Sequence, residues 1–266
     1  MKIAFLGAGK MATAMVEGLL ERKTAAAADL ACMDVVPAAA AKLAARTGIA
    51  AAGSPEELLA RADALVVAFK PQNLADADPR LAPASRGKLV LSILAGTRLA
   101  RLAQAFPEAR NLVRCMPNTP GQIGAGITAW SPLRPLSAGD RAAVEAILGA
   151  LGRTLEVPES QLDAVTALSG SGPGYVFEFA SALCEAGAAA GLEPEQARAL
   201  ALQTLIGSAK LLEKRQAPPE QLRDEVVSPN GTTHAGLQRM AQGGFRDLIR
   251  QAVLAAKARS EELGRG

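Results

Sequence analysis

The first half of the chain alternates short apolar runs with longer segments of helical character. Four runs have the length and composition of buried strands, at residues 2–6, 29–33, 64–69 and 88–94. Residues that favour helices fill the segments at 11–22 and 38–46. Strands that alternate with helices predict a parallel sheet covered on both faces, because such strands are apolar throughout. Three further runs are predicted to extend the sheet, at residues 111–115, 126–130 and 154–157.

After about residue 159 the pattern becomes helical, and no run has the character of a strand. Glycine and proline separate six predicted helices, at residues 161–168, 175–190, 194–214, 220–227, 232–240 and 245–263. The glycine-rich segment at 169–174 is predicted to be a turn that leads into a helix. We therefore predict an α/β chain, with a doubly wound Rossmann-type sheet over residues 1–159 and an all-helical domain over residues 160–266.

The composition of the chain excludes several classes of function but adds little about the fold. The 266 residues carry 29 Lys and Arg against 26 Asp and Glu, and only 3% are aromatic. So small a basic excess and so few aromatic side chains argue against a nucleic-acid partner. One histidine, His234, and three widely spaced cysteines predict free thiols in a reducing compartment and no metal site. No apolar stretch approaches the ~18 residues that span a bilayer, so we expect no membrane partner and a cytoplasmic location.

A glycine-rich loop joins the first predicted strand to the first predicted helix. It follows the pattern G-x-G-x-x-A and comprises Gly7, Ala8, Gly9, Lys10, Met11 and Ala12. Gly7 permits a tight turn, Gly9 lets a pyrophosphate approach the backbone, and Ala12 allows close packing of the helix. The helix N-terminus offers free N–H groups to phosphate. We predict that these six residues bind a dinucleotide; the alternative is a glycine-rich turn without a ligand.

Asp34 ends the second predicted strand, at about the distance beyond the glycine-rich loop that is expected for an acid binding the ribose 2′-hydroxyl. No Lys or Arg follows it until Lys42. An acid without an adjacent base favours NADH, because Asp would repel a 2′-phosphate. The alternative is that Asp34 is the N-cap of the next helix.

Three more loops follow predicted strands, at the sheet edge where α/β folds bind ligands. Lys70 is predicted to face the cofactor there, with an ordinary surface charge as the alternative. Cys115 has no histidine nearby to activate it, so a role as a nucleophile is disfavoured. We assign seven further cofactor contacts to these loops, Ala68, Lys70, Pro71, Gln72, Ala95, Gly96 and Asn118.

Three segments together resemble the Δ1-pyrroline-5-carboxylate reductase family. They are Met-Pro-Asn-Thr-Pro at 116–120, Ala-Leu-Ser-Gly-Ser-Gly-Pro at 167–173, and 224–233, which contains Ser-Pro-Asn-Gly-Thr-Thr before a predicted helix. Residues 70–72 and 243–246 are also similar, so the resemblance covers nearly the whole chain. Two positions depart from the family pattern: Asn230 replaces the usual Gly, and His234 replaces an apolar residue. The second strand lacks the ending that often accompanies NADPH.

The resemblance implies an oxidoreductase that reduces the cyclic imine 1-pyrroline-5-carboxylate to L-proline, the last step of proline biosynthesis, with NADPH or NADH. It implies that Thr233 hydrogen-bonds the imine nitrogen and can donate a proton, and that Glu225 helps to shape the pocket. A homodimer through the C-terminal helices, able to assemble further, is also implied. The implied substrate site comprises Glu225, Ser228, Asn230, Gly231, Thr232 and Thr233.

The chemistry of such a substrate fits the residues present. A protonated imine carries its own positive charge, so hydride transfer needs orientation more than strong acid catalysis. Its carboxylate needs an anion cradle, and residues 228–233 supply hydroxyls and N–H groups at a predicted helix N-terminus. A plain Ser/Thr cap on this helix is the alternative. His234 is either a proton relay or, as we prefer, a packed or solvent-facing histidine.

Two other functions are consistent with part of the pattern. A β-hydroxyacid dehydrogenase would need a catalytic lysine in the helix after the glycine-rich turn. Residues 170–185 contain no lysine, which argues against this function. A non-catalytic dinucleotide sensor would keep the glycine-rich loop but would have no reason for the cradle at 228–233.

Overall fold

The computed structural model describes residues 1–264, whose contacts group into two compact units. The first unit contains Met1–Ser171 together with the residues from Ala255 onward. The second unit is Gly172–Leu254. Contacts therefore divide the chain after residue 171, whereas the domain boundary predicted between residues 159 and 160 stays a prediction.

The first unit is built on a single eight-stranded sheet. Its strands are β1 (Ile3–Leu6), β2 (Leu30–Met33), β3 (Ala50–Ala51), β4 (Ala64–Val67), β5 (Leu89–Ser92), β6 (Asn111–Met116), β7 (Gly126–Pro132) and β8 (Gly152–Glu156). They lie in the order β3-β2-β1-β4-β5-β6-β7-β8, and neighbours are parallel except β6 and β7. This order, which reverses direction between β1 and β4, is that of a doubly wound dinucleotide-binding sheet.

Helices cover both faces of the sheet because its central strands are buried on both sides. Ile3 and Phe5 of β1 point into one core, and Ala4 and Leu6 point into the other, as strand alternation requires. The helices of this unit are α1 (Lys10–Glu21), α2 (Pro37–Thr47), α3 (Pro55–Leu59), α4 (Leu81–Ala84), α5 (Leu99–Ala105), α6 (Ala138–Gly149) and α7 (Leu162–Val165). Residues of α1, α2 and α6 fill the first core, and residues of α3, α4 and α5 fill the second.

The predicted fold class is confirmed, with corrections at single elements. The apolar pattern does not predict β3, because its two alanines are exposed at the sheet edge. Residues 27–29 form a 3₁₀ turn, so β2 begins at Leu30 and not at Asp29. The glycine-rich segment at 169–174 is more helical than predicted, since Thr166–Gly170 is a π-helical turn and a new helix begins at Gly172.

The second unit is wholly helical. Its helices are α8 (Gly172–Ala189), α9 (Pro194–Arg215), α10 (Pro219–Glu225), α11 (Thr232–Gln242) and the first half of α12 (Phe245–Leu263), up to Leu254. The bounds of α12 agree with the prediction from the sequence. Within residues 172–254 only Ala197 and Ala201 are buried, so the unit has almost no core of its own. None of the helices within residues 1–264 combines the length and the apolar character that crossing a membrane requires.

Candidate active site

The glycine-rich loop turns sharply between β1 and α1 because Gly7 adopts a φ of +113°. A Cβ atom at Gly7 would lie 2.7 Å from the carbonyl carbon of Ala68, too close for any side chain. Gly9 differs, since its φ is −74° and nothing lies within 4 Å of the position that its Cβ would take. Gly9 is also the N-cap of α1 and leaves that helix without a side-chain cap. The loop thus fits a dinucleotide, whose pyrophosphate needs open space beside a helix N-terminus.

The carboxylate of Asp34 lies against this loop. The N–H of Ala8 donates to Oδ2 at 2.7 Å, and the N–H of Val36 donates to Oδ1 at 2.9 Å. The N-cap of α2 is Val36, with no side-chain cap, so the interpretation of Asp34 as the N-cap of α2 is wrong. Asp34 occupies the position at the end of β2 where a ribose-binding acid is expected.

The other predicted cofactor contacts follow β4 and β5. Ala68 packs beside Gly7, and Lys70 is exposed just before a 3₁₀ turn that contains Pro71 and Gln72. Ala95 is exposed. Gly96 is buried, and its Cβ position lies 3.6 Å from the Cβ of Leu263 in α12. The structure therefore brings Ala68 to the glycine-rich loop and packs Gly96 against α12; the cofactor roles of these residues stay predictions.

The loop after β6 is held in place by the side chain of Asn118. Its Oδ1 accepts the N–H of Ile127 in β7 at 3.0 Å. Cys115, three residues earlier, is fully buried, and burial raises the pKa of its thiol. A thiol that stays protonated at neutral pH is a poor nucleophile, which agrees with the expectation from the sequence.

The turn before α11 is shaped by two residues of the predicted cradle. Asn230 has a φ of +60°, a left-handed conformation that Asn tolerates better than most residues and that also suits glycine. This explains how Asn stands where the resembled family usually has Gly. A Cβ atom at Gly231 would collide with Oγ of Ser228, and the N–H of Gly231 donates to the Ser228 carbonyl at 3.0 Å. A side chain at residue 231 would therefore require the Ser228 hydroxyl to move.

Thr232 and Thr233 are the first two residues of α11, and both are exposed. The N-cap of α11 is Gly231, and no side chain caps the helix, so the interpretation of these residues as a plain Ser/Thr cap is wrong. An uncapped helix N-terminus carries partial positive charge from its N–H groups. Two hydroxyls beside such N–H groups form a surface that favours a carboxylate.

Glu225, a predicted site residue, and His234, a neighbour of the predicted site, lie on either side of this turn in the sequence. Glu225, the last residue of α10, accepts hydrogen bonds from Nη1 and Nη2 of Arg215 at 2.6 and 2.9 Å, and from Gln221 at 3.2 Å. The bonds from Arg215 hold the pKa of the Glu225 carboxyl below its usual range. His234 is half-buried on α11.

A buried polar network supports the first unit, and the apolar pattern does not predict it. Arg114 of β6 is only 4% exposed at its side chain and donates to Asp163 at 3.3 Å and to Glu159 at 3.4 Å. Ser260 of α12 donates to the same Asp163 oxygen at 2.8 Å. The signal in the sequence is a charged residue inside an otherwise apolar strand, since a buried charge needs a partner.

Comparisons with known proteins agree with this geometry. A family model described as pyrroline-5-carboxylate reductase dimerisation matches residues 159–263, and one described as NADP oxidoreductase, coenzyme F420-dependent, matches residues 2–96. A pyrroline-5-carboxylate reductase from Synechocystis is 38% identical over 264 residues, which cover 99% of this chain and 98% of the relative.

Solved structures show the same likeness in three dimensions. A pyrroline-5-carboxylate reductase from Coxiella burnetii superposes with a TM-score of 0.92 at 30% identity and 98% coverage of both chains. The Plasmodium falciparum pyrroline carboxylate reductase, solved with NADP bound, gives a TM-score of 0.87 at 30% identity, covering 99% of this chain and 98% of the other. The chain therefore belongs to the pyrroline-5-carboxylate reductase family of oxidoreductases.

Proposed function

We propose that this chain reduces 1-pyrroline-5-carboxylate to L-proline by hydride transfer from NADPH or NADH, completing proline biosynthesis. The observation that carries the proposal is the uncapped N-terminus of α11 with its two threonine hydroxyls, in a chain that also has an open glycine-rich loop. The family relationship over the full length supports it.

The glycine-rich loop holds the cofactor. The N–H groups at the start of α1 receive the pyrophosphate, and Gly9 lets it approach because no atom lies within 4 Å of its Cβ position. Asp34 accepts hydrogen bonds from ribose hydroxyls, and the loops that contain Lys70 and Asn118 complete the site. When bound, the reduced nicotinamide supplies the hydride.

The turn before α11 holds the substrate. Its carboxylate is received by the N–H groups of α11 and by the hydroxyls of Ser228 and Thr232, and Gly231 permits close approach. The Thr233 hydroxyl hydrogen-bonds the imine nitrogen. An imine that is bound neutral takes a proton through this hydroxyl as its carbon takes the hydride, and Thr233, which is exposed, regains its proton from water. The C=N double bond becomes a C–N single bond, so the product is a neutral ring amine before it takes up a further proton.

Glu225 shapes this site as the last residue of α10, just before the turn. Its carboxylate is paired with Arg215, which favours the ionised form and balances its negative charge. The pair therefore holds the end of α10 to the end of α9 and leaves proton donation to Thr233.

The chain is a homo-oligomer, because it contains the family's dimerisation region. We propose a homodimer formed through the C-terminal helices, with L-proline and its imine precursor as the small-molecule partners. A cytoplasmic location is supported by the three free cysteines, of which Cys32 and Cys115 are buried as thiols.

The proposal is tested with purified protein, the imine and either reduced cofactor, following cofactor oxidation and proline formation. Thr233→Ala should lower turnover roughly ten- to a hundredfold, the usual effect of losing a hydrogen bond to a charged group. Thr233→Ser should restore most of it, and His234→Ala should have the smaller effect. Absence of turnover with both cofactors would sink the proposal, and a larger effect at His234 would move the proton donor to that residue.

A further inference from the structure

The carboxylate of Asp34 is fixed at the edge of the cofactor site and still has acceptor capacity. One oxygen accepts the N–H of Ala8 at 2.7 Å, and the other accepts the N–H of Val36 at 2.9 Å. A carboxylate offers about four lone-pair positions, so each oxygen can accept one more donor. Hydroxyl groups are suitable donors, whereas a phosphate dianion is an acceptor and carries like charge.

The residues that follow Asp34 offer nothing to a phosphate. Residues 35–41 read Val-Val-Pro-Ala-Ala-Ala-Ala, without a cation, hydroxyl or amide side chain. The N–H of Val36 is already donated to Asp34, and Pro37 has no N–H. Val35 and Val36 are 80% and 57% exposed, so the surface beside the carboxylate is apolar.

The cations of this region lie elsewhere. Lys10, Lys42 and Arg46 line a cavity of about 580 Å³ between α1 and α2, next to the glycine-rich loop. Arg46 is paired with Glu17. Lys42 is therefore the α2 cation most able to bind the 2′-phosphate of NADPH and offset the charge of Asp34. The experiment therefore includes a variant at Lys42.

We infer that Asp34 makes the chain select NADH over NADPH. The inference deepens the proposed function, since it specifies which reduced dinucleotide serves as its hydride donor. The 2′-hydroxyl of NADH donates to the Asp34 carboxylate, while the 2′-phosphate of NADPH meets a negative charge without a compensating cation at residues 35–41. A hydrogen bond to a charged acceptor corresponds to roughly ten- to a hundredfold in binding, so we expect at least tenfold preference for NADH.

The test measures equilibrium binding of NADH and NADPH by nicotinamide fluorescence, together with kcat/KM for each, in the full-length enzyme. Asp34→Asn keeps an oxygen that can accept the N–H of Ala8 but removes the charge, so it should bring the NADH to NADPH ratio toward one, chiefly through tighter NADPH binding. Lys42→Ala is the matched control and should leave the ratio unchanged.

Three results would overturn the inference. The first is binding of NADPH by the wild-type enzyme as tight as that of NADH. If Asp34→Asn does not fold, this wild-type measurement alone decides between the outcomes. The second is an unchanged ratio in a folded Asp34→Asn. The third is a selective loss of NADPH binding in Lys42→Ala, which would assign phosphate recognition to α2. Tenfold discrimination in binding without turnover of the imine would support the inference and contradict the proposed function.

Discussion

Two glycines of the same loop, Gly7 and Gly9, have different physical reasons to be glycine. Gly7 combines a φ of +113° with a Cβ position 2.7 Å from backbone atoms of Ala68, so it is required by the fold itself. Gly7→Ala should lower the free energy of unfolding by about 1–3 kcal/mol, since backbone strain of this kind costs that much. Urea denaturation at fixed protein concentration measures the change.

Gly9→Ala is the matched control, because its Cβ would enter open space at an ordinary φ of −74°. It should change stability by less than about 0.5 kcal/mol, as substitutions at exposed sites do. It should nevertheless weaken binding of the reduced dinucleotide, since the methyl group occupies space that the pyrophosphate needs. Equal destabilisation by both substitutions would contradict this division of roles.

The roles of some residues can be predicted from the local sequence, whereas the roles of others depend on contacts between distant parts of the chain. Gly7 is predicted because a tight turn between a strand and a helix has a local signature. The bond from Ala8 to Asp34 joins residues 26 apart, and the bond from Ser260 to Asp163 joins residues 97 apart. Such pairs depend on how β2 and α12 are placed by the whole sheet, which no local pattern contains.

At the scale of elements, the network of Arg114, Asp163 and Ser260 connects β6, α7 and α12. The side chains of Arg114 and Asp163 are 4% and 11% exposed, so loss of Asp163 leaves the buried charge of Arg114 with only its 3.4 Å bond to Glu159. Asp163→Ala should lower the free energy of unfolding by about 3–5 kcal/mol. Arg86→Ala, which removes an exposed ion pair with Glu108, should cost less than about 1 kcal/mol.

A double variant separates lost charge from lost packing in this network. Adding Arg114→Met to Asp163→Ala removes the buried charge that has lost its more buried partner, so the double variant should be more stable than Asp163→Ala alone. Urea denaturation of both proteins measures the difference. If the double variant is destabilised by the sum of the two single substitutions, the charge of Arg114 is already solvated in Asp163→Ala.

The ion pair between Arg110 and Asp140, at the start of α6, makes stability depend on pH. Hydrogen bonds from Arg110 hold the pKa of the Asp140 carboxyl below its usual range. The contribution of the pair is therefore fully present above the pKa of the unfolded chain and is lost as pH falls through the lower pKa of the folded chain. Because the Arg110 side chain is 44% exposed and water screens its charge, Asp140→Asn should cost about 1 kcal/mol at neutral pH.

Denaturation of wild type and Asp140→Asn over a series of decreasing pH values measures this dependence. The two stabilities should converge once the pH falls below the usual pKa range of aspartate. A difference that stays constant down to strong acid would contradict the role assigned to Asp140.

Elements were predictable to different degrees. The strands β1, β4 and β5 are apolar throughout, except for Ser92 at the end of β5, because both faces are buried, and the pattern predicts them. The start of α12 is marked by Gly243 and Gly244, so its bounds are also predicted. β3 has two exposed residues and is defined by its pairing with β2. It therefore has no apolar pattern from which it could be predicted.

At the scale of the whole molecule, the second unit explains why the chain should not exist as a stable monomer. Only two alanines are buried within residues 172–254, while large apolar side chains such as Phe177 and Leu248 are 63% and 62% exposed. A compact unit normally has its own core, so these surfaces need a partner copy. We expect a homodimer at every accessible concentration, with a Tm that rises as protein concentration rises.

Phe177→Asp in α8 should weaken this dimer, as measured by light scattering after size exclusion and by thermal denaturation. Ile123→Asp is the matched control, because Ile123 is 82% exposed but belongs to the first unit. A monomeric wild type, or equal effects of the two substitutions on oligomeric state, would contradict assembly through the C-terminal helices.

Reduction of a carboxylated cyclic imine transfers the hydride of the nicotinamide to the imine carbon, so an isotope label on that hydride shows whether the reaction occurs. The enzyme is incubated with 1-pyrroline-5-carboxylate and NADH that carries deuterium at both C4 positions of the nicotinamide, and the product is analysed by mass spectrometry. We expect L-proline with a single deuterium at its δ-carbon and a nitrogen proton from solvent. Formation of unlabelled proline, or consumption of NADH without proline, would contradict it.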